Sequence, residues 1–255
     1  MTLLIGLGFA SAVAVLCWAI LWRNSSILYK TFVRGDVCGN RVALTFDDGP
    51  HPDFTPRVLD ILGAHGVKAT FFCLGCLAEK HPGIVRRMHE EGHLVGNHGL
   101  DHSIRDFLRP PGSAYRALTR SSMLIRQCTG YAPRFYRPPV GVKAPPRVLA
   151  ARRLGLALAG WSQQAADGGA RPLSHEAAKR LVSVMRPGDV LLLHDGRISA
   201  SGTILNGQRW NVAEFAKAFD TLLGGLEKKG LQSVRLDLLF GVPPGIDLPE
   251  GNSPG

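Results

Sequence analysis

The chain has 255 residues, 45% apolar and 20% charged, a balance that excludes a disordered or fibrous protein and suits one ordinary domain with a small extension. Its 30 Lys and Arg against 20 Asp and Glu leave a formal charge of +10, which admits nucleic acid, a lipid surface or an acidic polymer as partner without choosing among them. Five cysteines over this length are not a disulfide framework, and the odd count leaves at least one thiol without an internal partner.

Residues Leu3 to Trp22 carry no charge, and all but Gly6, Gly8 and Ser11 are apolar. As a helix rising about 1.5 Å per residue, such a run spans roughly one 30 Å hydrocarbon core. A cleaved signal peptide would want a basic start and a small-x-small cleavage site, and neither is present. The sequence therefore predicts an uncleaved, single-pass transmembrane anchor. Its flank gives Arg23, Lys30 and Arg34 before the first acid, Asp36, which favours a cytoplasmic domain.

Strands and helices then alternate. Arg41–Phe46 reads as a buried strand, and Thr55 with Pro56 as the cap and first position of a helix that Gly66 closes. Further strands are expected at Ala69–Cys73, His93–Asn97, Arg134–Arg137, Leu156–Trp161, Val190–His194 and Ser233–Leu236. Helices are expected at Pro82–Glu91, Ser113–Cys128, Pro145–Arg153, from Ser174 to Met185, and at Val212–Lys229. Strict alternation argues for a parallel sheet covered by helices. Seven units predict an α/β fold, a distorted seven-stranded (β/α) barrel behind the N-terminal transmembrane helix. A doubly wound open sheet is the alternative. The expected division is an anchor at 1–23, a linker at 24–40, a catalytic domain at 41–240 and a flexible tail at 241–255.

The unusual polar residues sort onto one end of those strands. Asp47 and Asp48 follow the first, His98 and His102 the third, Arg137 closes the fourth, Asp167 follows the fifth, and His194 with Asp195 ends the sixth. That is the face on which parallel barrels carry their chemistry. Asp48, His98 and His102 offer one carboxylate and two imidazoles, a set suited to Zn²⁺ or a similar divalent ion with room left for water and substrate. Such an ion lowers the pKa of bound water to about 7. Asp47 could take the proton of that water with Arg137 as its charge partner, and His194, oriented by Asp167, could protonate a leaving amine. The set describes metal-assisted hydrolysis of an amide or ester. Singly, Asp-Asp-Gly-Pro is a good turn and His-x-x-x-His a coincidence in a chain with nine histidines. Only their joint placement carries the reading.

On these residues the sequence resembles the polysaccharide deacetylases, carbohydrate esterase family 4, also called the NodB-homology domain. The resemblance covers residues 41 to 240. Thr45-Phe-Asp-Asp-Gly-Pro50 matches the first family motif, and Asn97-His98-Gly-Leu-Asp-His102-Ser103 resembles the second. Phe135-Tyr-Arg137-Pro-Pro-Val-Gly141, Trp161 with Asp167, and Val190-Leu-Leu-Leu-His194-Asp195 resemble the remaining three. The resemblance implies a seven-stranded (β/α) barrel that removes acetyl groups from N-acetylglucosamine-type sugars, peptidoglycan or other acetylated polysaccharides. It implies Asp47 as general base, Asp48, His98 and His102 as ligands of Zn²⁺ (or Co²⁺ or Ni²⁺), and His194 as general acid. Asp167 and Arg137 would be partners of His194 and Asp47. The oxyanion would meet the metal and a backbone N–H near Val140. Three positions depart from the family pattern: Gly99 stands for a loop-bracing Ser or Thr, Val140 for a Tyr, and Gly168 for the Trp that walls the acetyl pocket. The last predicts a wider pocket unless Trp161 or another side chain fills it.

Several signals lead elsewhere. His89-Glu-Glu-Gly-His93 fits a zinc-protease pattern, but Gly92 should end the helix between its histidines. Cys73 and Cys76 form a Cys-x-x-Cys with no second pair, at the end of a strand, and read as free thiols. Arg86, Arg87, Arg152 and Arg153 come without interleaved aromatics, so no nucleic-acid partner is expected. The competing functions are a deacylase of a lipid-linked sugar or small amide and a glycan-binding pseudoenzyme. A cell-wall substrate would put the domain outside the membrane, against the flanking charges.

Overall fold

The structure, a computed structural model, describes residues 14, 17, 18, 20, 25–27, 29–103, 110–165, 167, 172–196 and 212–246. Its strands are β1 (Thr31–Phe32), β2 (Arg41–Asp47), β3 (Thr70–Cys73), β4 (Leu94–Asn97), β5 (Ala132–Pro133), β6 (Phe135–Tyr136), β7 (Ala157–Ala159), β8 (Gln163–Gln164), β9 (Val190–His194), β10 (Gln232–Ser233) and β11 (Gly245–Ile246). The helices are α1 (Thr55–Ala64), α2 (Gly75–Lys80), α3 (Pro82–Glu90), α4 (Pro111–Thr129), α5 (Pro145–Arg153), α6 (His175–Val184), α7 (Val212–Lys228) and α8 (Leu236–Phe240).

The main sheet runs β1-β7-β6-β4-β3-β2-β9-β8, with β10 beside the start of β2, and its strand pairs are all parallel. The expected parallel α/β architecture is therefore present, with helices packed along its outside. Period-two alternation decides what faces where. Val42, Leu44 and Phe46 of β2, Phe71 of β3, and Leu191 and Leu193 of β9 join the helix-side core with Phe215, Phe219 and Leu222 of α7. Ala43, Phe72, Val190 and Leu192 face the other way, into a smaller inner core with Phe135 and Trp161. Asp47 and His194 fall on that inner face, because each lies an even number of residues from an inward neighbour.

Local differences from the sequence reading have physical reasons. The expected seventh strand stops at Ser233, and Leu236 onward forms α8, which buries Leu236 and Leu239. Thr55 does not cap its helix: α1 starts at Thr55 itself, after Phe54, and the hydroxyl is bonded to His51 and Asp195 instead. Ser174 does cap α6, accepting from the Ala177 N–H at 3.2 Å. Within the stretch expected to be a linker, β1 pairs with β7, and the chain then bonds at Gly35 N–H to Gly188 O (2.8 Å). Arg34 meets the buried carboxylate of Asp189 at 2.6 Å. Gly188 has φ +81 and a Cβ there would lie 2.6 Å from Gly35 O, so this closing contact requires glycine.

Most of the apolar run 3–22 lies outside the described residues. Ala14, Cys17, Trp18 and Ile20 are helical, and among the described residues no helix is long and apolar enough to cross a membrane.

Candidate active site

Two sharp turns build the site. β2 ends in Asp47, and the chain reverses through Asp48 at φ +74. Gly196 packs against this turn so closely that a Cβ would come within 2.1 Å of Asp48 O. β4 ends in Asn97, whose side chain organises the second turn: Oδ1 accepts from the Gly99 N–H (2.7 Å) and from Ser121 Oγ (3.0 Å), while Nδ2 donates to Ser122 Oγ (2.9 Å). Ser121 also donates to Gly99 O at 2.9 Å. The brace that Gly99 cannot supply thus comes from α4. Nothing in the spacing of the motifs pointed to Ser121, because its partner lies over 20 residues away.

The second turn brings His98 and His102 to Asp48. Asp48 Oδ1 lies 3.2 Å from His98 Nε2 and 3.5 Å from His102 Nε2. All three residues are buried, and their ligating atoms lie within 4.8 Å of one another. His98 Nδ1 sits 2.8 Å from the carbonyl of Arg137. A carbonyl only accepts, so Nδ1 carries the proton and Nε2 turns a lone pair inward. Asp48 Oδ1, buried between two imidazoles, has no hydrogen-bond partner among the described residues. A solvent-excluded carboxylate oxygen in that state fits a cation. Burial would raise the Asp48 carboxyl, but His98, with His194 and His102, outweighs it and holds the group below its ordinary range. Burial and the neighbouring His98 push the His102 imidazole down, toward the neutral form a metal ligand needs.

Beside this triangle lie two ion pairs. Fully buried Arg137 donates from Nη1 to Asp47 Oδ1 (2.8 Å) and Thr45 Oγ1 (2.7 Å), and from Nη2 to Gly160 O (2.8 Å). Its guanidinium lies over the Phe72 ring at 4.2 Å and the Trp161 ring at 5.6 Å. Trp161 is thereby part of the buried floor below the site. On the opposite side, Asp167 accepts from His194 twice, at ring Nδ1 (2.9 Å) and at the backbone N–H (3.1 Å). Burial disfavours a charged ring, yet Asp167, with Asp48 and Asp47, outweighs it and pushes His194 up to about 9. Asp195, next in sequence, is raised to about 7, chiefly by burial and then by the charges of Asp48 and Asp47, against a hydrogen bond from Thr55.

Val140 stands in a 3₁₀ turn, Pro139–Gly141, at φ +50 with an exposed side chain. Among the described residues the non-glycine positive φ values fall on Asp48, His102 and Val140, all at this site. Such backbone is costly for a side chain and persists where the surroundings over-determine it, a pattern that clusters at functional sites. Asp47, Asp48, His98, His102, Arg137, Asp167 and His194 are thus brought into one region, with the Trp161 ring against Arg137. Gly168 lies outside the described residues. The protease-like pair does not form: His89 packs on Tyr131, and His93 lies past Gly92, buried, accepting from the Ala69 N–H. Cys73 and Cys76 are free thiols, and burial raises both.

A buried carboxylate-and-imidazole triangle that could hold a cation, flanked by a second buried carboxylate and a carboxylate-held histidine, is a donor set suited to hydrolysis on a parallel α/β fold. The comparisons with known proteins agree. Residues 34–159 match the polysaccharide deacetylase family. The chain is 40% identical over 163 residues to a chitooligosaccharide deacetylase of a Bradyrhizobium species, covering 64% of this chain and 74% of that one. It is 35% identical over 201 residues to a peptidoglycan-N-acetylglucosamine deacetylase of Bacillus cereus, covering 78% and 68%. It also superposes on the crystal structure of a peptidoglycan N-acetylglucosamine deacetylase in complex with an N-oxidanyl-benzamide, with TM-score 0.72, 31% identity, and coverage of 84% and 94%. The chain belongs to the polysaccharide deacetylase family.

Proposed function

We propose that this chain is a metal-dependent deacetylase that hydrolyses the N-acetyl group of N-acetylglucosamine-containing glycans of chitooligosaccharide or peptidoglycan type. Asp48, His98 and His102 would hold the divalent ion, Zn²⁺ in the first place and Co²⁺ or Ni²⁺ as substitutes. When bound, the ion supplies Lewis acidity toward water and the acetyl carbonyl. Asp47 accepts the proton of the attacking water, and Arg137 holds that carboxylate in place. The backbone N–H of Val140 donates to the developing oxyanion, and Trp161 floors the acyl pocket. His194 delivers a proton to the sugar nitrogen as the carbon–nitrogen bond breaks, releasing acetate and a free amine. Asp167 fixes the tautomer and direction of that ring. The observation that carries this reading is the buried Asp48–His98–His102 triangle, with the Asp47–Arg137 and His194–Asp167 pairs beside it.

We also propose that residues 3–22 anchor the chain in a membrane, on the strength of their uncharged sequence. The proposed substrate argues for a domain on the outer side and the basic flank for the inner. Protease digestion of intact against opened cells decides between them.

The functional test is acetate release by the full chain, chelated and then given Zn²⁺ or Co²⁺, on chitin oligomers, peptidoglycan and acetylated xylan. Metal-restored acetate from a chitin or peptidoglycan substrate is expected. No acetate from any of the three, with metal stoichiometrically bound, would overturn the substrate class in favour of a lipid-linked sugar, a small amide or a non-catalytic glycan site.

A further inference from the structure

One buried acid unused by the proposed mechanism lies directly behind the site. Asp195 is 1% exposed and follows the proposed general acid, and its Oδ2 is bonded to Thr55 of α1 rather than to a group of the proposed mechanism. It lies against Gly49, where a Cβ would come within 2.3 Å of Oδ2. Three bonds converge there. The Asp195 N–H donates to Asp47 O at 3.2 Å. Thr55 Oγ1 donates to Asp195 Oδ2 at 2.7 Å. The same Thr55 oxygen accepts from the His51 N–H at 2.8 Å. The turn from Asp47 to His51 is thus held at its start by the Asp195 backbone and at its end by the Asp195 carboxylate acting through Thr55, beside two backbone bonds, Leu74 N–H to Gly49 O (3.0 Å) and Thr55 N–H to His51 O (3.1 Å).

We propose that Asp195 and Thr55 are positioning residues that set the direction of Asp48, and so the affinity of the site for a divalent cation. The inference rests on the metal-site reading given above. Asp48 sits at φ +74, in the left-handed region, which costs any side-chain-bearing residue energy although aspartate less than most. The side chain that faces His98 and His102 is one bond from that backbone. A turn that loses the side-chain bond at the His51 N–H is held there only by the Thr55 N–H to His51 O bond, and it can relax toward ordinary φ values so that the carboxylate shifts away from the two imidazoles. Thr55 is uncharged and makes no bond to the triangle, so its effect must pass through the backbone of residues 48–51, which makes Thr55→Val the deciding variant. Support shells of this kind are typically worth 10–100-fold in metal affinity.

The test is a Co²⁺ titration of the full chain and its variants, read by visible absorption, beside urea unfolding of each metal-free protein. Thr55→Val is nearly isosteric and loses both hydrogen bonds; Asp195→Ala removes the carboxylate. Each should raise the Co²⁺ Kd at least tenfold. Thr55→Ser and Asp195→Asn keep the hydroxyl and the acceptor, and should stay within threefold of wild type. The double variant Thr55→Val/Asp195→Ala should be no weaker than the worse single variant, because one chain of bonds is being cut twice. Folded Thr55→Val with wild-type Co²⁺ affinity would overturn the proposal. So would a Thr55→Ser variant as weak as Thr55→Val, or variants that unfold before they lose metal, since the role would then be one of general stability. Wild-type protein that binds no Co²⁺ would instead overturn the metal-site reading itself.

Discussion

Asp47 and His194 are register partners on two adjacent parallel strands, β2 and β9. Partners in register point to the same face of a sheet, so the two groups proposed to move protons project side by side from one rigid layer. Phe72 is in register with Asp47 on the other side, and the Arg137 guanidinium stacks on its ring. Asp47, His194 and the ring under Arg137 are therefore placed by strand pairing, while the Asp48–His98–His102 triangle is placed by the two turns that follow β2 and β4.

This division predicts separable losses. Asp47→Asn should abolish acetate release while Co²⁺ or Zn²⁺ still binds, because Asp48 and the two histidines are intact. His102→Ala should lose both. Full turnover in Asp47→Asn, or unchanged metal content in His102→Ala, contradicts the assignment.

The Asp167–His194 pair predicts a shift in pH dependence. A ring raised to about 9 stays protonated, and competent as an acid, through neutral pH. A bound dication lowers that value, so the informative quantity is the difference between wild type and variant. Asp167→Asn removes the charge that raises it while an amide oxygen can still accept from the ring, and the alkaline limb of the kcat/KM profile should move toward lower pH by at least one unit. An unmoved limb would remove His194 from the acid role. The same pair contributes stability that is full below about pH 6.5 and lost as pH rises through about 9, since the folded state is the tighter proton binder.

Arg137 gives a stability prediction. It is fully buried and carries three hydrogen bonds, one to the Asp47 carboxylate. Arg137→Ala strands that carboxylate in the interior, and breaking a buried pair from one side costs on the order of 3–5 kcal/mol. Arg137→Lys keeps the charge without the planar fork that reaches Thr45, Asp47 and Gly160 together, and should recover only part of the loss. Urea unfolding of the two variants against wild type measures it.

His93 predicts acid sensitivity unrelated to catalysis. Its ring is 1% exposed, and Nδ1 accepts the Ala69 N–H at 3.1 Å. Protonation would break that bond and charge a buried group, and burial, then Lys68, Arg87 and Arg235, lowers its pKa to about 4. The unfolded chain takes the proton near 6.5, so stability should be full above that pH and fall as pH drops to about 4. At roughly 1.4 kcal/mol per pKa unit the loss is on the order of 3 kcal/mol. His93→Gln should flatten the unfolding free energy across that window; an equally steep decline would assign the acid sensitivity to other groups.

Much of this protein was legible in its residues. The run of strands and helices was readable because buried parallel strands are short apolar segments, and helices here are punctuated by Pro, Gly and Ser. Asp47, Asp48, His98, His102, Arg137 and His194 could be singled out because each follows or closes an apolar strand, where a lone polar group needs a reason. Four features were not legible. β1 and β8 are two residues each and carry no periodicity. Ser121 and Thr55 are ordinary hydroxyls until the fold brings Gly99 or Asp195 beside them.

The sequence by itself determined which groups could do chemistry and at which end of the strands they would lie, since alternation and strand termini are local properties of the chain. Only the tertiary structure decided that Asp48 Oδ1 is left between two imidazoles without a hydrogen bond. It alone decided that residues 31–32 add a strand beside β7 while residues 34–35 meet Gly188 and Asp189, and that Asp195 braces the turn behind the site. Each of these is a contact between residues far apart in the chain. Strand register and the close approach of glycine-bearing turns create such contacts, and no local pattern of residue types encodes them.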